Sequence, residues 1–278
     1  MGRWRAIGGL GLTLIAGGAL AAPRPAMAAW TACQIVHGVL VVPARAAGLT
    51  GPFILDTATP VSVLDATQAT LAGLEAGEAA VALQFAGQRW ASLRVSVAPL
   101  DARTYDQPTP ITGVLGADVL AKWVLEVSPE PCRLRLTRRS AWRGRTLAML
   151  PVERRDGVPY VTGGVSDGER SRRGLMRVAT GADLAVRLGP DAARVEGAPP
   201  AAEAPTAPLR AISLGGLLVE NPTGAIADAA SPGVLGEIGE PIWSRYGFSL
   251  DLGRGQLVLF EPLTKRTRRS GSGGSQDR

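Results

Sequence analysis

The chain has 278 residues, 46% of them hydrophobic and 19% charged, enough apolar content to bury a core and too little charge for a disordered polymer. Thirty basic residues against 24 acidic give +6; Arg3, Arg5 and Arg24 precede an expected cleavage site and leave 27 against 24, or +3, for the body, a balance that points to no nucleic-acid partner. One histidine, His37, and two cysteines, Cys33 and Cys132, exclude zinc sites built from several His or Cys and leave carboxylates as the general acid-base candidates.

The N-terminus carries the marks of a secretory leader: basic Arg3 and Arg5, an uncharged apolar run from Ile7 to Ala22, and the small-x-small sequence Ala26-Met27-Ala28. Residues 1–28 are therefore expected to be a signal peptide, and Ala29 the first residue of an exported protein, periplasmic or secreted. The run is Gly-rich, closes at Pro23-Arg24-Pro25 and falls short of a membrane span, and no later stretch is apolar enough to cross a bilayer. An oxidising compartment favours a bond between Cys33 and Cys132 over two free thiols. Such a bond closes a loop of about 100 residues, for which chain entropy gives at most ~4.7 kcal/mol.

Short β-rich runs bounded by Gly or Pro predict strands at Val39 to Val42, Phe53 to Leu55, Val81 to Phe85 and Leu93 to Val97. The last two are joined at Ala86-Gly87-Gln88, with Trp90 just beyond. Helical pattern is confined to Asp65 to Leu74 and Ala117 to Lys122. Residues 141–157, Arg-rich with Gly144 and Gly157, read as a crossover. Strands resume at Pro159 to Val165, Leu175 to Val178, Ala211 to Leu214 and Leu217 to Val219, turning at Gly215-Gly216. Gly197 to Pro208, nearly all Ala, Pro and Gly, is a loop. Residues 264–278 form a polar, basic tail expected to be disordered.

The two halves resemble each other. Gly113-Val114-Leu115-Gly116 recurs 120 positions on as Gly233-Val234-Leu235-Gly236. Upstream of each lies an apolar strand ending in a Thr-containing turn, Asp56-Thr57-Ala58-Thr59 in the first half and Ala179-Thr180-Gly181-Ala182 in the second, with Asp56 and Ala179 123 apart. Downstream of each comes an aromatic and a strand pair.

A strand that delivers Asp-Thr and small residues, followed by a Gly-apolar-apolar-Gly turn and repeated once, resembles the pattern of retropepsin-like and pepsin-like aspartic peptidases. Residues 35–138 resemble one lobe of that family and residues 158–262 a second. The resemblance implies an all-β fold of two tandem retropepsin-type β-barrel lobes around a central cleft. Its divisions are a lobe at 29–140, a crossover linker at 141–157 and a lobe at 158–263.

In that family two carboxylates about 3 Å apart share a proton, one serving as base toward water and the other as acid toward the peptide carbonyl. Here Asp56 stands at the first position and Ala179 at the second. The resemblance therefore implies a half-missing dyad and hydrolysis reduced by orders of magnitude. Thr57 and Thr180 stand where the family's threonines cross-link the two loops. Ala58, Thr59 and Gly181 are implied at the cleft, with Ala58 in place of the family glycine, and Trp90 either on a flap over the cleft or in packing. Asp183 is expected to turn away from the missing acid's place. Asp65, Asp118 and Asp251 are expected as turn or cap residues, and Gly113 and Gly233 as packing and turn glycines.

The expected function is an exported protein whose interlobe cleft binds a peptide or unfolded segment with little or no proteolysis. No cofactor or metal is expected, and a monomer is favoured. The alternative is an active endopeptidase in which a second chain supplies the second carboxylate.

Overall fold

The structure, a computed structural model, describes residues 28–189, 209–226 and 233–262. The expected leader up to Met27, the Gly197 to Pro208 loop and the basic tail lie outside the described residues. The first half runs β1 (Thr31–Ala32), β2 (Gln34–Val36), β3 (Val39–Ala46), β4 (Leu49–Leu55), β5 (Val63–Asp65), α1 (Ala66–Leu71), β6 (Gly77–Phe85), β7 (Gln88–Ala98), α2 (Asp101–Thr104) and β8 (Gly113–Leu115). A 3-10 turn (Ala117–Leu120) then leads to β9 (Val124–Pro129) and β10 (Cys132–Thr137). The expected strands are present and longer than their apolar cores. In β6 Val81, Leu83 and Phe85 are buried while Ala82 and Gln84 between them are exposed, the period-2 pattern of a sheet with one face on a core. The expected helix is shortened to α1: Asp65 caps its start, accepting from the Gln68 N–H at 3.0 Å, and the chain turns out of it at Ala72 and Gly73, whose N–H groups donate to the Ala69 and Thr70 carbonyls at 2.9 and 3.0 Å.

Six strands close a barrel in the order β3-β4-β8-β5-β7-β6, and β6 returns to β3 through Ala44 opposite Phe85. β2 adds to β3 outside the ring. The hairpin of β6 and β7 thus forms part of the barrel wall, with Trp90 opposite Leu83 and packed on the core.

The second half begins in the expected crossover, where residues 146–155 form a ten-residue strand, β11 (Thr146–Arg155). It continues through β12 (Val158–Ser166), β13 (Ser171–Val178), β14 (Val186–Leu188), β15 (Ala211–Leu214), β16 (Leu217–Glu220), β17 (Gly224–Ile226), β18 (Val234–Ile238), α3 (Glu240–Trp243), β19 (Gly247–Asp251) and β20 (Gln256–Phe260). These strands do not close a barrel. They join β1, β9 and β10 in one open 13-stranded sheet, ordered β1-β10-β9-β19-β20-β11-β12-β13-β18-β14-β17 with β15 and β16 branching from β12.

The expectation of two tandem barrel lobes is therefore corrected to one closed six-stranded barrel and one large open sheet. The reason is strand continuity. β7 has 11 residues and pairs with β6 along most of them while its last three pair with β5. β16 has four, all paired with β15, and the chain breaks at Asn221, with φ 47, and Pro222 before β17 pairs with β14, so no continuous strand joins the two edges. The halves are also not simply sequential, because β9 of the first half pairs with β19 of the second, Val127 opposite Phe248.

The expected disulfide is present: Cys33 and Cys132, 99 residues apart, are bonded. Cys33 sits where the chain passes from the open sheet (β1) to the barrel side (β2), so the bond ties that crossing to β10. On the same sheet the fully buried Glu126 is satisfied by Arg135 Nε at 2.6 Å, Ser140 Oγ at 2.8 Å and the Ala141 N–H at 2.7 Å, as a buried charge must be.

Candidate functional site

Two turns meet where the barrel faces the open sheet. β4 ends at Leu55 and runs parallel to β8, with Leu55 opposite Leu115; β13 ends at Val178 and runs parallel to β18, with Val178 opposite Ile238. The Asp56 N–H donates to the Leu115 carbonyl at 2.9 Å, and the Ala179 N–H to the Ile238 carbonyl at 3.0 Å. Both relations are separated by 123 residues. This register matches Gly113–Gly116 not with Gly233–Gly236 but with Gly236-Glu237-Ile238-Gly239. Gly116 and Gly239 are the close-approach positions, since a Cβ on them would press on the carbonyl oxygens of Thr59 and Leu184. Gly233 instead adopts φ +73, and a Cβ there would meet only Arg155 Nη1, at 3.9 Å.

The two turns are clasped by their threonines, both fully buried. Thr57 Oγ1 donates to the Val178 carbonyl at 2.5 Å, and Thr180 Oγ1 to the Leu55 carbonyl at 2.6 Å. In return the Thr57 N–H donates to Thr180 Oγ1 at 3.2 Å and the Thr180 N–H to Thr57 Oγ1 at 3.4 Å.

Asp56 lies on this clasp, its side chain 7% exposed. Oδ1 accepts from the Ala58 N–H at 2.9 Å and the Gly181 N–H at 3.3 Å. Oδ2 accepts from Thr59 Oγ1 at 2.6 Å and from Arg103 Nη2 at 2.5 Å, while Arg103 Nη1 also donates to Thr59 Oγ1 at 3.0 Å. Four donors therefore meet a carboxylate that offers about four acceptor positions. Gly181 must lack a side chain, because its Cβ would lie 2.5 Å from the Asp56 Cβ and 2.8 Å from Arg103 Nη2.

Arg103 was not legible as a site residue. It arrives on α2, in the segment between β7 and β8, anchored by the Leu100 N–H donating to Asp65 Oδ2 at 3.3 Å and by Leu100 and Ile111 packed on the outer face of β3, β4 and β8. A four-residue helix carries no periodic signal, and the reach of one arginine depends on the whole path of the chain.

Around Asp56 opens a polar cleft of about 540 Å³. Asp56, Ala58, Thr59, Ala179 and Gly181 line it; Thr57 and Thr180 lie buried at its base; Trp90 does not line it, its hairpin being built into the barrel wall. Ala102, Arg103, Tyr105, Asp106 and Gln107 form the first-half wall, with Asp106 at 3.5 Å from His37. Asp183 also lines the cleft, its carboxylate bound to Arg187 at 2.7 Å. Asp65, Asp118 and Asp251 cap or brace turns: Asp118, for example, accepts from the Ser62 N–H at 2.9 Å and Ser62 Oγ at 2.7 Å. Among the described residues no group of three or more His, Cys, Asp or Glu is placed to hold a metal ion, and no helix is long and apolar enough to cross a membrane.

One buried acid has no such support. Glu240, first residue of α3, is fully buried, and neither carboxyl oxygen has a hydrogen-bond partner among the described residues. Burial pushes its ionisation well above the ordinary carboxylate range. An acid whose folded value is raised stabilises the fold fully below its unfolded value, about 4.3, and loses that contribution as pH rises toward the folded value. The stability advantage of Glu240→Gln over the parent chain is therefore expected to grow from pH 4 to pH 8. Urea midpoints across that range check this, and a pH-independent difference would show that Glu240 finds a partner.

No family model matches the chain, and no curated protein matches it in sequence. Among solved structures it is similar to the aspartic proteinase from Irpex lacteus, at 11% identity and a TM-score of 0.54, over 86% of this chain and 98% of that one. The likeness is one of fold.

Proposed function

We propose that this is an exported protein of aspartic-proteinase-like fold, built from two related halves at 29–140 and 158–263 joined through residues 141–157, whose cleft binds an extended peptide without cleaving it. The observation that carries the reading is the saturation of Asp56. Dyad chemistry needs a carboxylate with a free acceptor position for a water proton and a second carboxyl to share it. Asp56 has donors on all its acceptor positions, one of them the Arg103 guanidinium, and the matching position is Ala179. The cleft keeps the size and polar walls to seat an extended chain, with main-chain hydrogen bonding for affinity. The two-chain alternative is not favoured, because Thr180 and Gly181 of the same chain already occupy the place a partner's loop would need.

A mixed peptide library incubated with the protein from pH 3 to pH 7, beside Asp56→Asn and a pepstatin control, is expected to give no cleavage at any pH and a retained subset of peptides. Cleavage that disappears in Asp56→Asn overturns the proposal.

A further inference from the structure

The register of the open sheet sets a row of side chains across adjacent strands: Tyr160 opposite Arg177, Arg177 opposite Glu237, and Glu237 opposite Arg187. Directly opposed residues share a face and lie close enough to interact. The corresponding row of the barrel is Val41, Ile54, Val114 and Val63, buried or half-buried and covered by Leu100 and Ile111. Where the first half has an apolar row under a lid of its own chain, the corresponding row of the second half is, among the described residues, two arginines and a glutamate lining the cleft.

Glu237 is ion-paired with both arginines, and Arg177 lies over the Tyr160 ring, but no direct hydrogen bond joins the three charged groups. Arg177 Nη1 is 3.8 Å from Glu237 and Arg187 Nη1 3.6 Å, both beyond hydrogen-bond reach. Arg177 Nε is buried without a hydrogen-bond partner among the described residues. Arg103 and Arg187, by contrast, each hold a close carboxylate of their own, Asp56 and Asp183. A cationic ligand group entering here meets guanidinium groups on both sides of Glu237. An anionic one meets the Arg177 guanidinium, with its unfilled donor, and the Nη1 side of Arg187, whose Nη2 is held by Asp183, and planar bidentate pairing with a carboxylate is what a guanidinium offers best.

We propose that Arg177, Arg187 and Glu237 form a carboxylate-binding subsite in the second-half wall of the cleft, taking an acidic side chain or the free C-terminal carboxylate of the bound chain. This rests on the peptide-binding reading. Glu237 is then the group that yields. Burial first, and then the Asp56 carboxylate, push its ionisation up, against Arg187, Arg177 and Arg103, which pull it down. Asp183 also faces the row, but Arg187 holds it. Protonation of Glu237 removes its repulsion toward an incoming carboxylate and supplies a donor, so affinity for acidic ligands rises as pH falls from neutral and is lost again once the ligand's own carboxyl, near 4, protonates.

The test uses the full chain and two sets of labelled peptides. One set is acetylated and amidated, with Glu, Gln or Lys scanned through a common sequence; the other carries a free C-terminus. Glu peptides, free-terminus peptides or both are expected to bind at least ~10-fold more tightly than their neutral counterparts, and the set that shows the preference identifies the carboxylate's source. Arg177→Met is expected to bring the ratio close to one, and Glu237→Gln to flatten its dependence on pH. Binding without any acidic preference overturns the subsite and leaves peptide binding standing. If no peptide binds, the peptide reading fails, and titration with glutarate followed at the Arg177 Nε resonance decides the subsite alone: a shift lost in Arg187→Met upholds it, and no shift overturns it.

Discussion

Replacing Cys33 and Cys132 together by alanine is expected to lower the unfolding free energy by about 3–4 kcal/mol. The bond joins residues 99 apart, so in the unfolded chain it closes a loop whose entropy amounts to ~4.7 kcal/mol at most. Part of the native arrangement survives without it: the Cys33 N–H still donates to the Cys132 carbonyl at 3.1 Å, and β1 still pairs with β10 through Thr31 opposite Leu134 and Ala32 opposite Arg133. Two paired residues cannot by themselves offset the ordering of the segment that leads into β2. Alanine is the right replacement because Cys33 is 8% exposed, where a serine hydroxyl would add an unmet polar group and confuse the result. Urea denaturation of parent and variant should show a lower midpoint and a steeper dependence on denaturant, since the uncrosslinked chain expands further. A loss below about 1 kcal/mol would mean that native contacts around β1, not loop closure, hold this crossing.

Most of the longer strands were legible because their apolar residues alternate and their ends carry Gly or Pro, and so was the short β15, at Ala211 to Leu214; β11, which lies in the expected crossover, and the three-residue β5, β14 and β17 were not. Barrel closure was not legible, because it depends on whether a hairpin's second strand runs on unbroken to the next strand. β7 runs on into its pairing with β5, whereas the chain breaks at Asn221-Pro222 between β16 and β17, a matter of a few residues that leaves the apolar pattern unchanged. The pairing of the glycine motifs failed for a different reason. Gly236 belongs to two overlapping sequences, Gly233-Val-Leu-Gly236 and Gly236-Glu-Ile-Gly239. Identity of letters selects the first, while backbone crowding selects the second, whose final glycine lies against the Leu184 carbonyl. The spacing of 123 between Asp56 and Ala179 already pointed to the second, and taking it would have brought Glu237 into view as a cleft residue. Arg103 lay beyond any such argument. Its position follows from the packing of Leu100 and Ile111, which turns an otherwise featureless charged segment toward Asp56.

Thr180→Val is expected to destabilise the protein by about 2–4 kcal/mol although valine matches threonine in volume. The change opens no cavity; it removes one hydroxyl that serves two backbone groups. The Leu55 carbonyl loses its donor at 2.6 Å and the Thr57 N–H its acceptor at 3.2 Å. Thr57 and Thr180 are both wholly buried, so water cannot readily replace either bond, and each unpaired group costs about 1–3 kcal/mol. Thr57→Val breaks the mirror-image pair, to the Val178 carbonyl at 2.5 Å and from the Thr180 N–H at 3.4 Å. The second of those bonds is long, so this variant should lose somewhat less. Thr180→Ser keeps the hydroxyl and should stay within about 1 kcal/mol of the parent, separating the hydrogen bonds from side-chain bulk. The effect should extend to the cleft, because Gly181 follows Thr180 directly and its N–H reaches Asp56 Oδ1 at 3.3 Å. A clasp that served only to join the halves would lower the urea midpoint alone. One that also positions the Asp56 turn would weaken retention of library peptides in proportion, at urea concentrations where the fold is still intact. Equal stability of the valine and serine variants would show that the buried hydroxyls contribute nothing net, and that the two turns are held by the strands behind them.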